Sequence, residues 1–337
     1  MTLQQLSKEY LDALEVALRR IVGLTDKPQL AELHAMMCYH LGWEGEVAGP
    51  KATGKRIRPL LVLLTASASG GRWKRALPAA TAIELVHNYS LIHDDIEDNS
   101  DLRRGRPTVW KQWGIAQAIN TGDAMFSLAH LALLGLRETT SPEIALEAAA
   151  IFQNTCLQLT QGQHLDIAYE ERNDLTLNDY WPMIEGKTAA LLAACTELGA
   201  LIAETSEQIR QAYRDFGLHL GLAFQALDDL LGIWGDTDRT GKSTASDLVE
   251  GKKTLPVLYG LENSATFYAR WKAGPILPAE APEIAEMLEA EGARAYTQEE
   301  AKRLTDKALK ALKDANPQGD AGEALFELTQ KLLKRKA

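Results

Sequence analysis

The sequence LIHDDIED, residues 91–98, ends an apolar helical stretch with four carboxylates. Asp94 and Asp98 are four residues apart, so on a helix they share one face. Carboxylates crowded on one face repel each other. A hard divalent cation such as Mg²⁺ compensates them and usually bridges them to the phosphates of a substrate. Arg103 and Arg104 follow at once and are placed to grip the same phosphates.

A second acidic cluster has the sequence FQALDD, residues 224–229. Gln225 precedes Asp228 by three residues and Asp229 by four, so an amide and a carboxylate are expected to face one cavity. Two adjacent aspartates buried without a cation would be very costly, so we expect a metal to compensate this pair as well.

Basic residues accompany both clusters. Lys242, Lys252 and Lys253 follow the second one. Upstream of the first, the sequence GKRIRP (54–59) opens a predicted helix with two cations three residues apart, and a helix amino terminus adds N–H groups that favour an anion. The pattern predicts a site that holds a diphosphate through metal and fixed positive charge.

One glycine-rich segment, residues 235–243, superficially resembles a P-loop. It has one residue too many between its glycines, and it follows an acidic helix where a P-loop needs a strand. We therefore reject a P-loop.

The bulk composition excludes several classes of protein. The 337 residues carry a net charge of −10, which argues against nucleic acid as the main partner. Three cysteines stand far apart without metal-ligand spacing, as suits a reducing cytosol. The first 20 residues lack the apolar core of a signal peptide. No apolar run is long enough to span a bilayer uninterrupted, since the best candidate, 217–234, carries Asp228 and Asp229. We expect a cytoplasmic protein without a membrane span.

Hydrophobic periodicity predicts an all-α protein. Apolar residues recur at helical spacing, and strand signals are nearly absent. The predicted helical segments are Leu3–Val22, Leu60–Ser67, Pro78–Asp98, Ile115–Leu136, Pro142–Asp166, Asn178–Ala203, Ser206–Ile233 and a last stretch towards Leu333. The most plausible linker is Asn263–Ala281, but helices resume after it in the same style. We therefore predict one domain over residues 1–337.

The order of these motifs resembles that of the trans-isoprenyl diphosphate synthases, the polyprenyl synthetase family. The match extends from about Lys55 to Pro256. It rests on Lys55 and Arg58, His87, Asp94-Asp95-x-x-Asp98 with Arg103 and Arg104, Lys187-Thr188, Gln225-x-x-Asp228-Asp229, Lys242 and Gly251-Lys252-Lys253-Thr254. The resemblance implies a helical bundle around a deep apolar cavity, normally as a homodimer, and condensation of isopentenyl diphosphate with an allylic diphosphate.

The resemblance also implies a role for each of these residues. Asp94 and Asp98 would hold two Mg²⁺ on the allylic diphosphate with Asp95 in support, and Asp228 would help to hold a third. The remaining roles are contact with the allylic diphosphate (Arg103, Lys187, Lys242), binding of isopentenyl diphosphate (Lys55, Arg58, His87, Arg104), further phosphate binding (Lys252) and dipoles near the allylic carbocation (Lys187, Thr188, Gln225).

The second cluster departs from the family pattern at Gly232, where a third aspartate is usual. We expect Gly232→Asp to be tolerated. Because Asp236 lies where class I terpene cyclases usually carry a glutamate, a cyclase is one alternative. A non-catalytic subunit of a heteromeric synthase is another. Lys55, Arg58 and His87 would have no isopentenyl diphosphate to hold in a cyclase, and the complete first cluster argues against an inert subunit.

Product length depends on the residues before the first cluster. In the resembling family, the fourth and fifth positions before it tend to form the cavity floor, and here these are Ser90 and Tyr89. One aromatic residue with one small residue resembles the enzymes that form geranylgeranyl diphosphate (C20). Farnesyl diphosphate (C15) is the alternative product, and Tyr89 as an ordinary core aromatic is the alternative interpretation.

Overall fold

The computed structural model describes residues 1–45, 47–235 and 245–334. The prediction of an all-α protein is confirmed, since within these ranges the only strands are two short segments of an antiparallel hairpin. The α-helices are Leu3–Val22, Ala31–His40, Pro50–Thr53, Ile57–Ala68, Leu77–Glu97, Val109–Trp113, Ile115–Leu134, Pro142–Glu170, Leu177–Ile184, Ala190–Ile202, Glu207–Trp234, Ser246–Val249, Leu255–Asn263, Ala265–Lys272, Ala281–Ala290, Ala293–Asp314 and Gly319–Leu333. A π-helical segment covers Glu185–Ala189, and the strands are Leu102–Arg103 and Arg106–Pro107.

The chain divides into two compact units, each built from several segments. The first unit consists of Met1–Phe152, Cys195–Ser206 and Pro317–Leu325, and the second of Gln153–Ala194, Glu207–Asn316 and Phe326–Ala337.

The first unit is built on the helix Leu77–Glu97. The helices Leu3–Val22, Ile57–Ala68 and Ile115–Leu134 pack against it. Leu3–Val22 begins at a capping box, in which the Thr2 hydroxyl accepts from the N–H of Gln5 and the Gln5 side chain accepts from the N–H of Thr2. The carboxyl end of Leu77–Glu97 carries the first acidic cluster.

The second unit is organised around the helix Glu207–Trp234, which packs along Ala293–Asp314. Its length and composition would allow it to cross a membrane, but 56% of its most apolar window is buried within the protein. Asp228 and Asp229 lie near its carboxyl end. Burial against neighbouring helices identifies it as a core helix.

The structure corrects the expected linker. Residues 263–281 contain the helix Ala265–Lys272, which Ser264 caps by accepting from the N–H of Phe267. Phe267 is fully buried in an apolar cluster with Val257 and Leu288. A segment that contributes to a core in this way is part of the fold and does not act as a linker.

Candidate active site

The first acidic cluster lies at the carboxyl end of Leu77–Glu97, and its three aspartates have different surroundings. Asp98 is exposed and ends the helix, donating its N–H to the carbonyl of Asp94 at 2.8 Å. Asp94 is half-buried, one turn earlier. Asp95 is only 1% exposed. The spacing therefore gives two accessible carboxylates, Asp94 and Asp98, and one that points into the protein.

The buried Asp95 is held by the hairpin that follows the helix. The Nε of Arg103 donates to Asp95 Oδ1 at 2.7 Å. Its other oxygen, Oδ2, is buried and has no hydrogen-bond partner within the described residues. Burial raises the pKa of Asp95 to about 6, against the lowering effect of Arg103. The pair fixes the direction of Arg103, so Asp95 acts on the cluster by positioning its neighbour.

The three cationic side chains of the basic segment 54–59 have different surroundings. Arg56, in the left-handed region (φ 47°), points inward, and its Nη1 donates to Glu84 at 2.6 Å while its Nε donates to Glu15 at 3.0 Å. Lys55 is exposed. Arg56 is therefore a buried anchor. Lys55 precedes it, and Arg58 follows in the first turn of the helix that begins at Ile57.

Arg58, His87 and Arg104 form a second basic group in the same unit. The Nη1 of Arg58 lies 3.2 Å from His87 Nε2. Burial, followed by Arg58 and Arg104, holds the pKa of His87 well below its ordinary value, so the ring is neutral and accepts from Arg58. Arg104 donates to the carbonyl of Ala52 at 2.6 Å, which places it beside the segment that carries Lys55. Cations gathered this closely favour an anion between them.

Tyr89 and Ser90 lie one turn or more before Asp94. The Tyr89 ring is 4.8 Å from that of Phe126, which in turn is 4.5 Å from His130. The hydroxyl of Ser90 donates to the carbonyl of His87 at 2.9 Å. Tyr89 therefore begins a row of aromatic rings in tilted and edge-to-face contact, which the sequence did not indicate.

The second acidic cluster corrects the expectation that both aspartates are buried. Asp228 is exposed and Asp229 is 3% exposed. Asp229 accepts from the Tyr180 hydroxyl at 2.7 Å, the N–H of Leu255 at 2.9 Å and the amide of Gln225 at 2.9 Å. Burial raises the pKa of Asp229 to about 7. Three hydrogen bonds satisfy this carboxyl group without a cation, so its burial is no argument for metal.

Lys187 and Thr188 lie in the π-helical segment Glu185–Ala189, which interrupts the single helix that we predicted over residues 178–203. The backbone packs closely at this interruption. A Cβ added to Gly162 would lie only 2.0 Å from the backbone nitrogen of Lys187. Lys187 pairs with Asp166, and the Thr188 hydroxyl donates to Gln225 Oε1 at 2.9 Å. Such π segments frequently occur at functional sites.

These groups line one pocket of about 180 Å³ in the second unit. Its polar lining includes carboxylates, lysines and hydrogen-bonding side chains: Asp166, Asp228, Asp229, Asp247, Lys187, Lys252, Lys253, Tyr180, Thr188, Gln225 and Thr254. The Nζ of Lys252 lies 2.6 Å from Glu250 Oε2, and the Nζ of Lys253 donates to the carbonyl oxygen of Glu170 at 3.2 Å. Lys242 and Asp236 lie outside the described residues.

The surroundings of Gly232 show what Gly232→Asp would have to displace. A Cβ added to Gly232 would be 1.9 Å from Asp247 Oδ2. Asp247 is buried, and its carboxylate would have to shift to admit a side chain at position 232. An aspartate at position 232 would therefore compete with Asp247 for one space.

The donors present fit Mg²⁺ with further oxygen ligands. Among the described residues, no group of three or more His, Cys, Asp or Glu side chains is placed to hold a metal by itself. Mg²⁺ is typically bound by one or two carboxylates and completes its octahedron with water and substrate phosphate. The accessible Asp94, Asp98 and Asp228 are suitable for that mode of binding.

Sequence patterns missed several residues of this site. Asp166 and Tyr180 contact residues of the predicted motifs, and Glu84 holds Arg56 between Lys55 and Arg58, but all three stand alone in the sequence and only the fold brings them there. Asp247 had a weak signal, since it precedes the Lys252-Lys253 pair by five residues.

A helical protein with paired acidic and basic groups in each unit has the architecture of an isoprenoid synthase. The sequence profile of the family described as polyprenyl synthetase matches residues 48–274. The chain belongs to this family. It is therefore a prenyltransferase, of the class of short-chain trans-prenyl diphosphate synthases.

Known relatives include enzymes with different products. The chain is 43% identical to (2E,6E)-farnesyl diphosphate synthase of Mycobacterium tuberculosis, over 80% of its own length and 77% of the relative's. It is 39% identical to geranylgeranyl diphosphate synthase of the same organism, over 90% and 87%. Among solved structures, polyprenyl synthetase from Streptomyces coelicolor superposes with a TM-score of 0.87 at 35% identity, covering 98% of this chain and 99% of that one.

Proposed function

We propose that this protein condenses isopentenyl diphosphate head to tail with an allylic diphosphate, in a Mg²⁺-dependent reaction, and that the main product is geranylgeranyl diphosphate. The observation that carries the proposal is the pocket in which Asp228 and Asp247 stand among Lys187, Lys252 and Lys253. Carboxylates mixed with lysines in one small pocket suit a metal-bound diphosphate.

The assignment of metal ligands rests on which aspartate side chains are accessible. Asp94, Asp98 and Asp228 would hold Mg²⁺, while Asp95 directs Arg103. When bound, the metal neutralises charge that develops on the departing diphosphate. Arg103, Lys187 and Lys242 add fixed positive charge for the same group, and Lys252 adds a further phosphate contact.

Isopentenyl diphosphate is assigned to the basic groups of the first unit. Lys55, Arg58 and Arg104 supply charge, and the neutral His87 orients Arg58 by accepting its hydrogen bond. Arginine is well suited to this role because its planar fork matches the geometry of phosphate oxygens.

The bond changes balance without a side-chain nucleophile. The C1–O bond of the allylic substrate breaks, and its electron pair leaves with the diphosphate. The double bond of isopentenyl diphosphate then attacks C1, and the proton lost afterwards goes to the released diphosphate. Thr188 and Gln225 place their dipoles near the allylic cation, and the hydrogen bonds to each other and to Asp229 fix their orientation.

The proposed product length rests on Tyr89 and Ser90, and farnesyl diphosphate remains the alternative because relatives of both kinds match the chain. The contact of Tyr89 with Phe126 gives it the support that a cavity floor needs. Tyr89→Ala should lengthen the main product by one or more isoprene units, and Ser90→Phe should shorten it. Chromatographic sizing of extracted products measures both effects, and an unchanged distribution in both variants would contradict this assignment.

We also propose a single isoprenoid synthase domain over residues 1–337, a cytoplasmic location and a homodimer. The family match from 48 to 274 draws on both compact units, which supports one domain. Exposed apolar side chains on the helices Ile115–Leu134 and Pro142–Glu170 support association with a second copy: Ile115, Leu131, Leu134 and Leu146 are 50% or more exposed. Sedimentation at micromolar concentration tests the dimer.

The decisive experiment combines the purified protein with Mg²⁺, labelled isopentenyl diphosphate and separate allylic primers of five, ten and fifteen carbons. Asp94→Ala or Asp98→Ala should reduce turnover by roughly three orders of magnitude, equivalent to several kcal/mol of barrier, while the fold stays intact. Asp101→Ala is the control, since it removes a nearby exposed carboxylate that lies after the helix and pairs with Lys111. Cyclic hydrocarbon from an allylic diphosphate alone would indicate a cyclase instead, and near-native turnover in either aspartate variant would refute the metal assignment.

A further inference from the structure

A series of hydrogen bonds in the second unit connects a buried phenol to a hydroxyl at the pocket. Tyr180, on the helix Leu177–Ile184, is 1% exposed and donates its hydroxyl to Asp229 Oδ2 at 2.7 Å. Asp229 Oδ1 accepts from the Nε2 of Gln225 at 2.9 Å. Gln225 Oε1 in turn accepts from the hydroxyl of Thr188 at 2.9 Å. Each side chain in this series therefore depends on the one before it for its orientation.

The direction of these hydrogen bonds is set at Asp229. A carboxylate only accepts hydrogen bonds, so Gln225 turns its NH₂ group towards Asp229 and its carbonyl oxygen towards Thr188. The Thr188 hydroxyl donates its one hydrogen to that carbonyl oxygen, which leaves lone pairs of the hydroxyl oxygen for the pocket that Thr188 lines. Lone pairs held in this way stabilise positive charge that develops in the pocket.

Two donors decide how the carboxylate of Asp229 is turned. The Tyr180 hydroxyl and the N–H of Leu255 both donate to Oδ2, at 2.7 Å and 2.9 Å, while Oδ1 accepts from Gln225. The N–H of Leu255 belongs to the first turn of the helix Leu255–Asn263, so the backbone fixes its direction. Tyr180 is the side-chain member of the pair, and it reaches Asp229 from a different helix.

We propose that Tyr180 is a positioning residue for the condensation. By holding the carboxylate of Asp229, it fixes the direction in which Gln225 and Thr188 present their dipoles to the allylic cation. The inference rests on the proposed function, because it concerns the cation that this reaction would form. The cation appears only after the C1–O bond breaks, so the arrangement should act on the chemical step and not on the binding of diphosphate.

The test compares the rate of the chemical step with the affinity for the ligand. Tyr180→Phe removes one oxygen atom and keeps the ring. It should slow single-turnover condensation of labelled isopentenyl diphosphate by about tenfold to a hundredfold, because the two dipoles lose their fixed direction. The Mg²⁺-dependent affinity for inorganic diphosphate, measured by calorimetry, should stay within about twofold of the native value. A purely structural role would instead weaken diphosphate binding together with the rate.

Tyr259→Phe is the matched control. Tyr259 belongs to the same unit, its ring stacks on that of Tyr296 with centroids 4.7 Å apart, and it lies outside the residues that line the pocket. The same atom is removed, and both the single-turnover rate and the diphosphate affinity should keep their native values.

A double-mutant cycle shows whether Tyr180 acts through Gln225. Gln225→Met keeps the length of the side chain and removes the amide, so adding Tyr180→Phe to it should change the rate by less than about twofold. Asp229→Asn keeps the test decisive if Tyr180→Phe does not fold. Its NH₂ group can donate to Gln225 and reverse the direction of the series, and it should slow the single-turnover step by about tenfold or more.

Three results would overturn the inference. They are a native single-turnover rate in folded Tyr180→Phe or Asp229→Asn, a loss of diphosphate affinity in Tyr180→Phe that parallels the loss of rate, and a full effect of Tyr180→Phe in the Gln225→Met background. Failure of the native protein to form any prenyl product would refute the proposed function itself. An active native protein with an equally fast Tyr180→Phe variant would refute this inference alone.

Discussion

Glu84→Gln tests the buried anchor beneath the basic segment. Glu84 and Arg56 have side chains that are each 3% exposed, with Arg56 Nη1 to Glu84 Oε1 at 2.6 Å. The same oxygen accepts from Asn88 Nδ2 at 2.7 Å. Glutamine has nearly the same shape, and its amide oxygen can still accept from Arg56 and Asn88, but it removes the negative charge. The guanidinium of Arg56 would then keep only one carboxylate partner, Glu15.

The expected loss of stability depends on the interactions that Arg56 keeps in the variant. Breaking a buried ion pair by removing one partner costs about 3–5 kcal/mol, because an uncompensated charge stays buried. Burial is the largest single influence on the pKa of Arg56 and lowers it, but Glu84 and then Glu15 raise it, and together they leave the pKa above its ordinary value. Since Glu15 is 30% exposed and remains at 3.0 Å, we expect the lower end of that range, about 3 kcal/mol. At roughly 2–4 °C per kcal/mol, the melting temperature should fall by about 6–12 °C.

The variant should also affect one substrate more than the other. Arg56 adopts a left-handed backbone conformation that costs about 1–2 kcal/mol, and its ion pairs hold it there. When the pairing weakens, the segment can relax and Lys55 and Arg58 lose their fixed spacing. The KM for isopentenyl diphosphate should rise severalfold while the KM for the allylic primer changes little.

The assays are thermal and urea unfolding together with initial-rate kinetics in each substrate. Glu204→Gln is the control, because Glu204 pairs with Arg75 at 2.8 Å with side chains 55% and 31% exposed, and should lose less than about 1 kcal/mol. A Glu84→Gln variant as stable as this control would refute the reasoning about burial. Equal rises in both KM values would refute the link to isopentenyl diphosphate.

Two further predictions concern pH and packing. Because burial and Arg58 hold the pKa of His87 well below its ordinary value, only the unfolded state gains a proton as the pH falls below about 6.5, so the protein loses up to about 1.4 kcal/mol per pH unit relative to His87→Gln. Urea unfolding at pH 7.5 and 5.5 checks this, and parallel pH profiles would contradict it. Gly162→Ala should cost about 1–3 kcal/mol and reduce kcat, since the new methyl group would displace the backbone of Lys187. Gly23→Ala, which meets nothing within 4 Å, should leave both unchanged.

Much of the fold follows from local sequence. The helix Leu3–Val22 has the predicted bounds, because apolar periodicity and a capping box lie within its own residues. The long helix Glu207–Trp234 was predicted to within one residue at each end, because its apolar periodicity lies within its own residues. Interruptions were harder to foresee. The π segment Glu185–Ala189 accompanies a close approach of Gly162, which is more than 20 residues away in the sequence.

In the candidate site, too, some features follow from local sequence and others depend on the tertiary structure. Spacing alone put Asp94 and Asp98 on one helix face and paired acidic with basic residues. The tertiary structure decided which member of each pair is accessible: Asp228 faces solvent, while Asp229 accepts three hydrogen bonds from distant residues. It also decided that Arg56 is an anchor, because Glu15 and Glu84 meet it from other helices. Burial and charge pairing depend on neighbours far along the chain, and no local pattern encodes which neighbours those are.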